Sequence, residues 1–321
     1  MSETSPAAKP AARRGRSPAR HAAELAAFRA AAAALAALPR PAARAAARAM
    51  ARAVLAALPR RRRILRRNLA AAYPDATAAE LDALARRSVA SLGAAFADFL
   101  EVTGLSAEQI RERIAVEGEG NLRAARSLGR GVFLLSAHLG GWELGAIRAG
   151  MLGEPISPVV RPLDNPLLES ELARRRTRFG NRPVAKRDAA RDVLRALRRK
   201  ETVAILIDQN VLPREAVFVP FFGRLAATTA ALARLQLASG APVVPVFTWP
   251  QGGGRYRLVF ETPILADDLR ADAEASRDDA VRRATARYME VTEAAIRKNP
   301  EAWLWMHDRW RTRPESEAER A

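Results

Sequence analysis

Residues 132–143 read VFLLSAHLGGWE and join the end of a predicted strand to the start of a predicted helix. The apolar run Val132–Ala137 has the length and composition of a buried strand. The two glycines that follow allow a tight turn before a helix that we predict at 139–151. We therefore expect His138 at the carboxyl end of a strand and Glu143 one turn into the next helix.

The same alternation of strand and helix continues along the chain. Further strand-type runs occur at 156–160, 202–208, 242–248 and 256–261, with helical stretches at 165–179, 188–199 and 228–239. Longer helices are predicted at 77–103, 276–297 and 300–310. This order predicts an α/β fold with a mostly parallel central sheet flanked by helices. Ligands bind beyond the carboxyl ends of such strands, so the residues after each strand are the candidates for a site.

Composition divides the 321 residues into four segments. The start is rich in Pro, Ser, Ala and Arg and offers little apolar surface to offset the entropy of ordering. An Ala- and Arg-rich stretch follows, which prolines divide into short helices. The predicted segments are a disordered basic tail at 1–20, a helical membrane-associating segment at 21–70, an α/β domain at 71–314 and a charged tail at 315–321.

Positive charge is concentrated in the first fifth of the chain. The formal net charge is +18, and Lys and Arg outnumber Asp and Glu by sixteen to two in residues 1–70. This asymmetry indicates an anionic partner, either nucleic acid or a phospholipid surface. Arginines at 60–63 beside the apolar segment are typical of an interfacial anchor. The alternative is a helical hairpin that packs on the domain with solvated arginines.

Targeting signals are weak in this sequence. The first twenty residues contain no continuous apolar core of a secretory signal, which predicts a cytoplasmic start. Charged residues interrupt the apolar stretch after residue 21, so a membrane-spanning helix is not expected. We expect peripheral or weak attachment to a membrane.

The residue types present limit the possible chemistry. The chain has no cysteine, which excludes disulfides, thiolate metal sites and cysteine nucleophiles. It also lacks a Gly-x-Ser-x-Gly elbow. Among three histidines, His138 and His307 are the candidates for a general base, and the strand–turn–helix context favours His138. A carboxylate on one imidazole nitrogen fixes the tautomer and makes the other nitrogen more basic, and Glu143 is expected in that role.

Five blocks in a fixed order resemble the bacterial lipid A biosynthesis lauroyl/myristoyl acyltransferase family, within the wider lysophospholipid acyltransferase-like group. The resemblance runs from about residue 58 to 314. Besides His138 with Glu143, the blocks are RPLDNP at 161–166, DQN at 208–210, VFVPFFGR at 217–224 and WLWMHDRW at 303–310. The resemblance implies a glycerolphosphate-acyltransferase-like fold, with 71–314 as the acyltransferase domain. It also implies direct acyl transfer at a membrane surface, with no acyl-enzyme intermediate, cofactor or metal.

The resemblance also implies residues that bind substrate. Arg176 and Asp208 are carried over as a charged pair, and arginine suits phosphate groups because its planar fork binds them bidentately. Asp208 has an alternative role in capping a loop or in a structural ion pair. Arg161, Phe222 and Arg224 from the other blocks complete the predicted substrate-binding set. Phe222 is expected in a loop between a strand and a helix, either as a pocket wall or as an aromatic hinge on the core.

Several functional alternatives stay open at this point. The expected acceptor is a hydroxyl of a lipid A precursor, and another glycolipid such as a phosphatidylinositol mannoside, or a lysophospholipid, is the closest rival. The donor is a thioester of acyl carrier protein or of coenzyme A. A nucleic-acid-binding protein is the alternative from another class, but the 251 residues after the basic segment carry a net charge of only +4. The expected location is the cytoplasmic face of the inner membrane, with an anionic membrane surface as partner and no nucleic acid.

Overall fold

A computed structural model describes residues 17–185, 189–269 and 276–314 as an α/β structure. The strands are β1 (Ile114–Glu117), β2 (Val132–Ser136), β3 (Ile156–Val160), β4 (Val184–Ala185), β5 (Thr202–Leu206), β6 (Ala216–Phe221), β7 (Arg224–Thr229), β8 (Val243–Pro250) and β9 (Tyr256–Phe260). The α-helices before β4 are α1 (Pro18–Ala36), α2 (Arg40–Ala56), α3 (Pro59–Ala72), α4 (Ala78–Val102), α5 (Ala107–Arg113), α6 (Glu119–Ser127), α7 (Trp142–Gly150) and α8 (Pro166–Thr177). Those after it are α9 (Ala189–Arg198), α10 (Ala231–Ser239), α11 (Ala266–Leu269) and α12 (Arg277–Lys298).

Seven strands form one sheet in the order β1-β9-β8-β2-β5-β3-β4. All neighbours are parallel except β8 and β9, which pair antiparallel. The predicted fold class, a mostly parallel sheet flanked by helices with a helical N-terminal segment, is confirmed. The first four residues of β2 are almost completely buried because this strand lies in the middle of the sheet with layers on both faces. The carboxyl ends of β2 and β5 therefore lie side by side.

The N-terminal helices pack on the rest of the protein. Helix α2 makes its most extensive contacts with α4, and α1 lies against α8. Arg44 of α2 forms an ion pair with the fully buried Asp98 of α4, and the hydroxyl of Tyr256 donates to the same carboxylate at 2.5 Å. The interaction ties α2 to α4 and to β9. In residues 17–185, 189–269 and 276–314, we find no helix long and apolar enough to cross a membrane.

Parts of the sequence interpretation are wrong in detail. The helix predicted at 300–310 is only a 3-10 turn at Pro300–Ala302, followed by irregular backbone whose tryptophan rings are buried. Residues 222–223 form the turn of an antiparallel hairpin of β6 and β7, not a loop leading to a helix. Thr228 is a strand residue, so the helix predicted at 228–239 begins only at Ala231. Strands β1, β4 and β7 were not predicted; β1 and β4 are only four and two residues long, which leaves no periodic pattern to detect.

The predicted tails fall largely outside the part of the chain that the structure describes. Residues 1–16 and 315–321 lie outside it, as do 186–188 and 270–275. Within the predicted tail at 1–20, Ser17 caps α1 and Pro18 begins that helix. The division at residue 20 stays a prediction.

Candidate active site

His138 and Asp208 meet at the carboxyl edge of the sheet. His138 follows β2, Asp208 follows β5, and the two strands are parallel neighbours. The Asp208 carboxylate accepts from His138 twice: Oδ1 lies 2.9 Å from the ring Nδ1, and Oδ2 accepts the backbone N–H at 2.9 Å. The carboxylate therefore fixes both the backbone and the ring of the histidine.

Asp208 is a buried, ionised carboxylate. Its side chain is 2% exposed, and Trp303 Nε1–H donates to Oδ2 at 2.8 Å as a third hydrogen bond. Burial alone would raise the pKa of Asp208, but attraction to His138 and the three hydrogen bonds lower it to about 2. The charge is therefore present at neutral pH, where it can orient and stabilise an imidazolium.

The His138 ring is arranged as a base. Burial lowers its pKa, but the charge and hydrogen bond of Asp208, with a smaller contribution from Glu143, raise it above the ordinary 6.5. Because Nδ1–H donates to Asp208, Nε2 of the neutral ring carries the lone pair. The side chain as a whole is 22% exposed.

The glycine turn after His138 is needed for this arrangement. Gly140 has a φ of 58°, and a Cβ there would lie 2.2 Å from the Thr248 carbonyl oxygen. A Cβ on Gly141 would lie 2.8 Å from the Tyr256 ring. The turn is thus pressed against β8 and β9, which holds His138 outside the helix, and α7 begins only at Trp142.

Glu143 pairs with Arg176 rather than with His138. Arg176 Nε and Nη2 donate to its two carboxylate oxygens at 3.0 and 2.5 Å. This bidentate pair links α7 to the last turn of α8, and both side chains are about one-fifth exposed. Burial lowers the pKa of Arg176, but the bond to Glu143 outweighs it and the net shift is upward.

Two pairings in the sequence interpretation are therefore corrected. Glu143 was expected to orient His138, and Arg176 was expected to pair with Asp208. The partners are exchanged: His138 bonds Asp208, and Arg176 bonds Glu143. The physical reason is that α7 starts at residue 142, which directs Glu143 toward α8, whereas strand pairing brings Asp208 beside His138.

The segment after α12 completes the site. The Leu304 N–H donates to the His138 carbonyl at 3.1 Å, and Trp303 reaches Asp208. His307 Nε2 accepts the Asn210 N–H at 2.9 Å, and burial lowers the His307 pKa to about 4. The His307 Nε2 therefore accepts a backbone N–H that it cannot leave without disturbing the chain, and its lowered pKa keeps the ring neutral.

The other predicted site residues occupy different positions. Arg161 follows β3 and is exposed at the same edge of the sheet, two strands from His138, which corresponds to about 10 Å. Phe222 is buried against Tyr73, Phe221 and Trp305, and Arg224 is exposed at the hairpin turn. In the described ranges, no hydrogen bond or ion pair joins these three residues to His138 or Asp208. Their substrate-binding role stays a prediction.

Sequence reasoning missed Gln209 and Trp303 as neighbours of the site. Gln209 Nε2 lies 3.2 Å from His138 Nε2. The position of Gln209 directly after Asp208 was a usable signal, because it shares the same strand end. Trp303 begins the block at 303–310, but that block did not indicate a contact with Asp208, which is 95 residues away in the chain.

An apolar groove of about 570 Å³ opens beside the catalytic turn, between α2, α4 and the segment after α12. It approaches His138 only through Leu304, whose N–H bonds the His138 carbonyl, and His307. Its apolar lining includes Met50, Val54, Leu58, Leu92, Phe96 and Leu304. Several of these side chains are exposed, and the exposed Arg61 lies at the groove and donates to the Met306 carbonyl at 3.3 Å.

Over the described residues, no group of three His, Cys, Asp or Glu side chains could hold a metal ion.

Comparison with known proteins identifies the family. The bacterial lipid A biosynthesis acyltransferase family matches residues 16–312. The chain is 33% identical over 269 residues to the lipid A biosynthesis lauroyltransferase of Escherichia coli (strain K12), across 81% of this chain and 82% of that protein. It is 32% identical over 268 residues to the palmitoleoyltransferase of the same strain, with 81% and 82% covered.

A third relative is a lipid A biosynthesis acyltransferase of Haemophilus influenzae, 29% identical over 259 residues, which cover 80% of this chain and 79% of that protein. The matched region contains His138, Asp208, Glu143 and Arg176. The resemblance inferred from the five sequence blocks is confirmed: the chain is an acyltransferase and belongs to the bacterial lipid A biosynthesis acyltransferase family.

Proposed function

We propose that this enzyme transfers a fatty acyl chain from a thioester, carried by acyl carrier protein or coenzyme A, to a hydroxyl group of a lipid A precursor. The observation that carries the proposal is the hydrogen bond from His138 Nδ1 to Asp208. In the neutral ring, this bond leaves the lone pair on Nε2. The nitrogen lies at the carboxyl edge of the sheet, where ligands bind in α/β proteins. The lipid A precursor is proposed as the acceptor because the chain belongs to the lipid A biosynthesis acyltransferase family.

In the proposed reaction, His138 Nε2 takes the proton of the acceptor hydroxyl as its oxygen attacks the thioester carbonyl carbon. A tetrahedral intermediate forms, and backbone N–H groups at the start of α7 are the candidate donors to its oxyanion. The carbon–sulfur bond then breaks, and the leaving thiolate receives the proton from Nε2. Asp208 stabilises the imidazolium throughout and stays ionised.

Glu143 and Arg176 act as a second, supporting charged pair in this proposal. Glu143 is close enough to raise the pKa of His138, although it does not bond the ring. Its bond to Arg176 holds the guanidinium near the site, where part of the fork can face a phosphate or a developing negative charge. Arg161, on the same sheet edge, is the corresponding candidate for the anionic headgroup.

The groove beside Leu304 and His307 is assigned to a lipid chain. Its apolar lining removes methylene groups from water, at about 0.8 kcal/mol for each one buried. Because it reaches the segment that bonds the His138 carbonyl, a chain lying in it ends near the reacting carbon.

The exposed rim of the groove is assigned to an anionic membrane surface. Val54 and Leu58 are 53% and 46% exposed, and the arginines at 60–63 are exposed beside them. Apolar side chains next to guanidinium groups suit the headgroup boundary of a phospholipid layer better than they suit nucleic acid. Peripheral attachment at the cytoplasmic face of the inner membrane follows as the proposed location.

The proposal is tested by incubating the purified enzyme with a lipid A precursor and labelled lauroyl thioester on each carrier, and identifying products by mass spectrometry. The expected product gains one acyl chain on a hydroxyl, with release of one thiol. Phosphatidylinositol mannoside and lysophospholipid serve as competing acceptors. Acylation of one of these in place of the lipid A precursor would reject the proposed acceptor, and acylation of none would reject the function.

A further inference from the structure

Gln209 contacts the atom of His138 that has to act as the base. Its Nε2 lies 3.2 Å from His138 Nε2, and its side chain is half-buried directly after Asp208. The His138 Nδ1–H already donates to Asp208, so Nε2 holds the lone pair. The Gln209 carboxamide N–H is therefore the donor, and the catalytic lone pair is its acceptor.

This hydrogen bond competes directly with the reaction. The lone pair of Nε2 cannot accept the Gln209 N–H and take a proton from an attacking hydroxyl at the same time. The base is thus occupied in the ligand-free enzyme, and any nucleophile has to displace the carboxamide first. A neutral bond at 3.2 Å is long for its type, so displacement is not prohibitive.

We infer that Gln209 is a positioning residue that caps His138 until the acceptor hydroxyl displaces it, and so protects the bound thioester from water. This inference rests on the proposed acyl transfer from a thioester. A lipid acceptor that is held elsewhere by its chains and headgroup presents its hydroxyl at a high effective concentration, which offsets the lost bond. A water molecule has no such anchoring.

The side reaction that the cap suppresses is ordinary thioester hydrolysis. His138 Nε2 would take a proton from water, and the water oxygen would form a bond to the carbonyl carbon. The carbon–sulfur bond would then break, and the thiolate would receive the proton from Nε2. One thioester and one water give one fatty acid and one thiol, with no other reactant needed.

Gln209→Ala tests the inference by its rate of hydrolysis. Free thiol is measured with lauroyl thioester alone and then with saturating acceptor, for the wild type, for Gln209→Ala and for the matched control Gln251→Ala, an exposed residue on the β8–β9 turn. Loss of one neutral hydrogen bond predicts hydrolysis about two- to tenfold faster in Gln209→Ala, and unchanged in the control. Hydrolysis that stays equal to wild type, or that falls together with transfer, would overturn the cap.

Gln209→Glu gives a second readout that a merely structural role would not move. A carboxylate at Nε2 cannot donate and stabilises the imidazolium, so it should move the acid limb of the transfer rate to higher pH. Asp208, Glu143 with its partner Arg176, and His307 face His138 in every variant and stay constant. An unmoved limb would contradict the contact.

The two assays separate this inference from the proposed function. If the wild type releases thiol but acylates no lipid hydroxyl, the acceptor assignment fails, and the comparison of hydrolysis rates still tests the cap. If transfer is normal and Gln209→Ala leaves hydrolysis unchanged, the cap fails and the function stands.

Discussion

Replacing Asp208 by Asn removes one charge from the centre of the site while keeping its shape. The folded protein lowers the pKa of Asp208 from 3.8 to about 2, so its surroundings favour the charged form by about 2–3 kcal/mol. Much of that preference is the interaction with His138. If it is lost from the imidazolium in the transition state, the rate falls by at least about 30-fold.

The hydrogen bonds increase the expected loss. Oδ2 of Asp208 accepts from two donors, the His138 N–H and Trp303 Nε1–H, so an amide NH₂ cannot take that place without opposing both. The NH₂ group of Asn is therefore expected to face His138 Nδ1 and to drive the ring proton to Nε2. A protonated Nε2 is no base, and the loss then approaches the full contribution of general base catalysis, about 10⁴-fold.

The assay is kcat for acyl transfer under saturating donor and acceptor, with thermal unfolding as a check on the fold. Asp82→Asn is the matched control, because Asp82 is 43% exposed and its partner Arg66 is on the surface. A kcat for Asp208→Asn within about threefold of wild type would refute the reasoning, since a difference that small leaves no room for loss of an imidazolium partner.

Four further predictions follow from the same geometry. Glu143→Gln should reduce kcat less than His138→Ala, because the imidazole keeps its bond to Asp208, and equal losses in a steady-state assay would contradict this. The kcat/KM for transfer should rise with pH through an apparent pKa above 6.5, because only neutral His138 is a base and its pKa is raised. Asp208→Asn should move this rise to lower pH, and an unmoved rise would argue against the pairing of His138 with Asp208. Val54→Trp should favour shorter acyl donors, with about 0.8 kcal/mol lost for each methylene that the groove no longer holds; an unchanged chain preference across a donor series would exclude the groove. Asp98→Asn should lower the free energy of unfolding by about 3–5 kcal/mol, because it leaves the Arg44 guanidinium, whose side chain is 11% exposed, without its counter-charge. Chemical denaturation measures this free energy, and a loss no larger than that of Asp82→Asn would contradict the prediction.

The local pattern was enough to predict where His138 lies. Its strand is a continuous apolar run, the glycines after it permit the turn, and the alternation of strands and helices gives a parallel sheet with one functional edge. The residues that follow β2 and β5 could therefore be named as candidates before their contacts were known.

The partners of the charged residues could not be predicted in the same way. Glu143 is five residues from His138 and Asp208 is seventy residues away, yet Asp208, and not Glu143, bonds the ring Nδ1. Which strand lies next to β2 depends on the packing of the whole sheet, and the direction of Glu143 depends on where α7 begins. Trp303 and His307 reach the site through irregular backbone with no periodic signal.

The acyl-transfer rate of His138→Ala, measured with a lipid A precursor and lauroyl thioester, tests the central claim most directly. His307 is no substitute base, because its Nε2 accepts the backbone N–H of Asn210 and its pKa is lowered to about 4. We expect kcat to fall by about 10³-fold or more while the folded structure is retained. Turnover within about tenfold of wild type would show that proton removal does not depend on this imidazole.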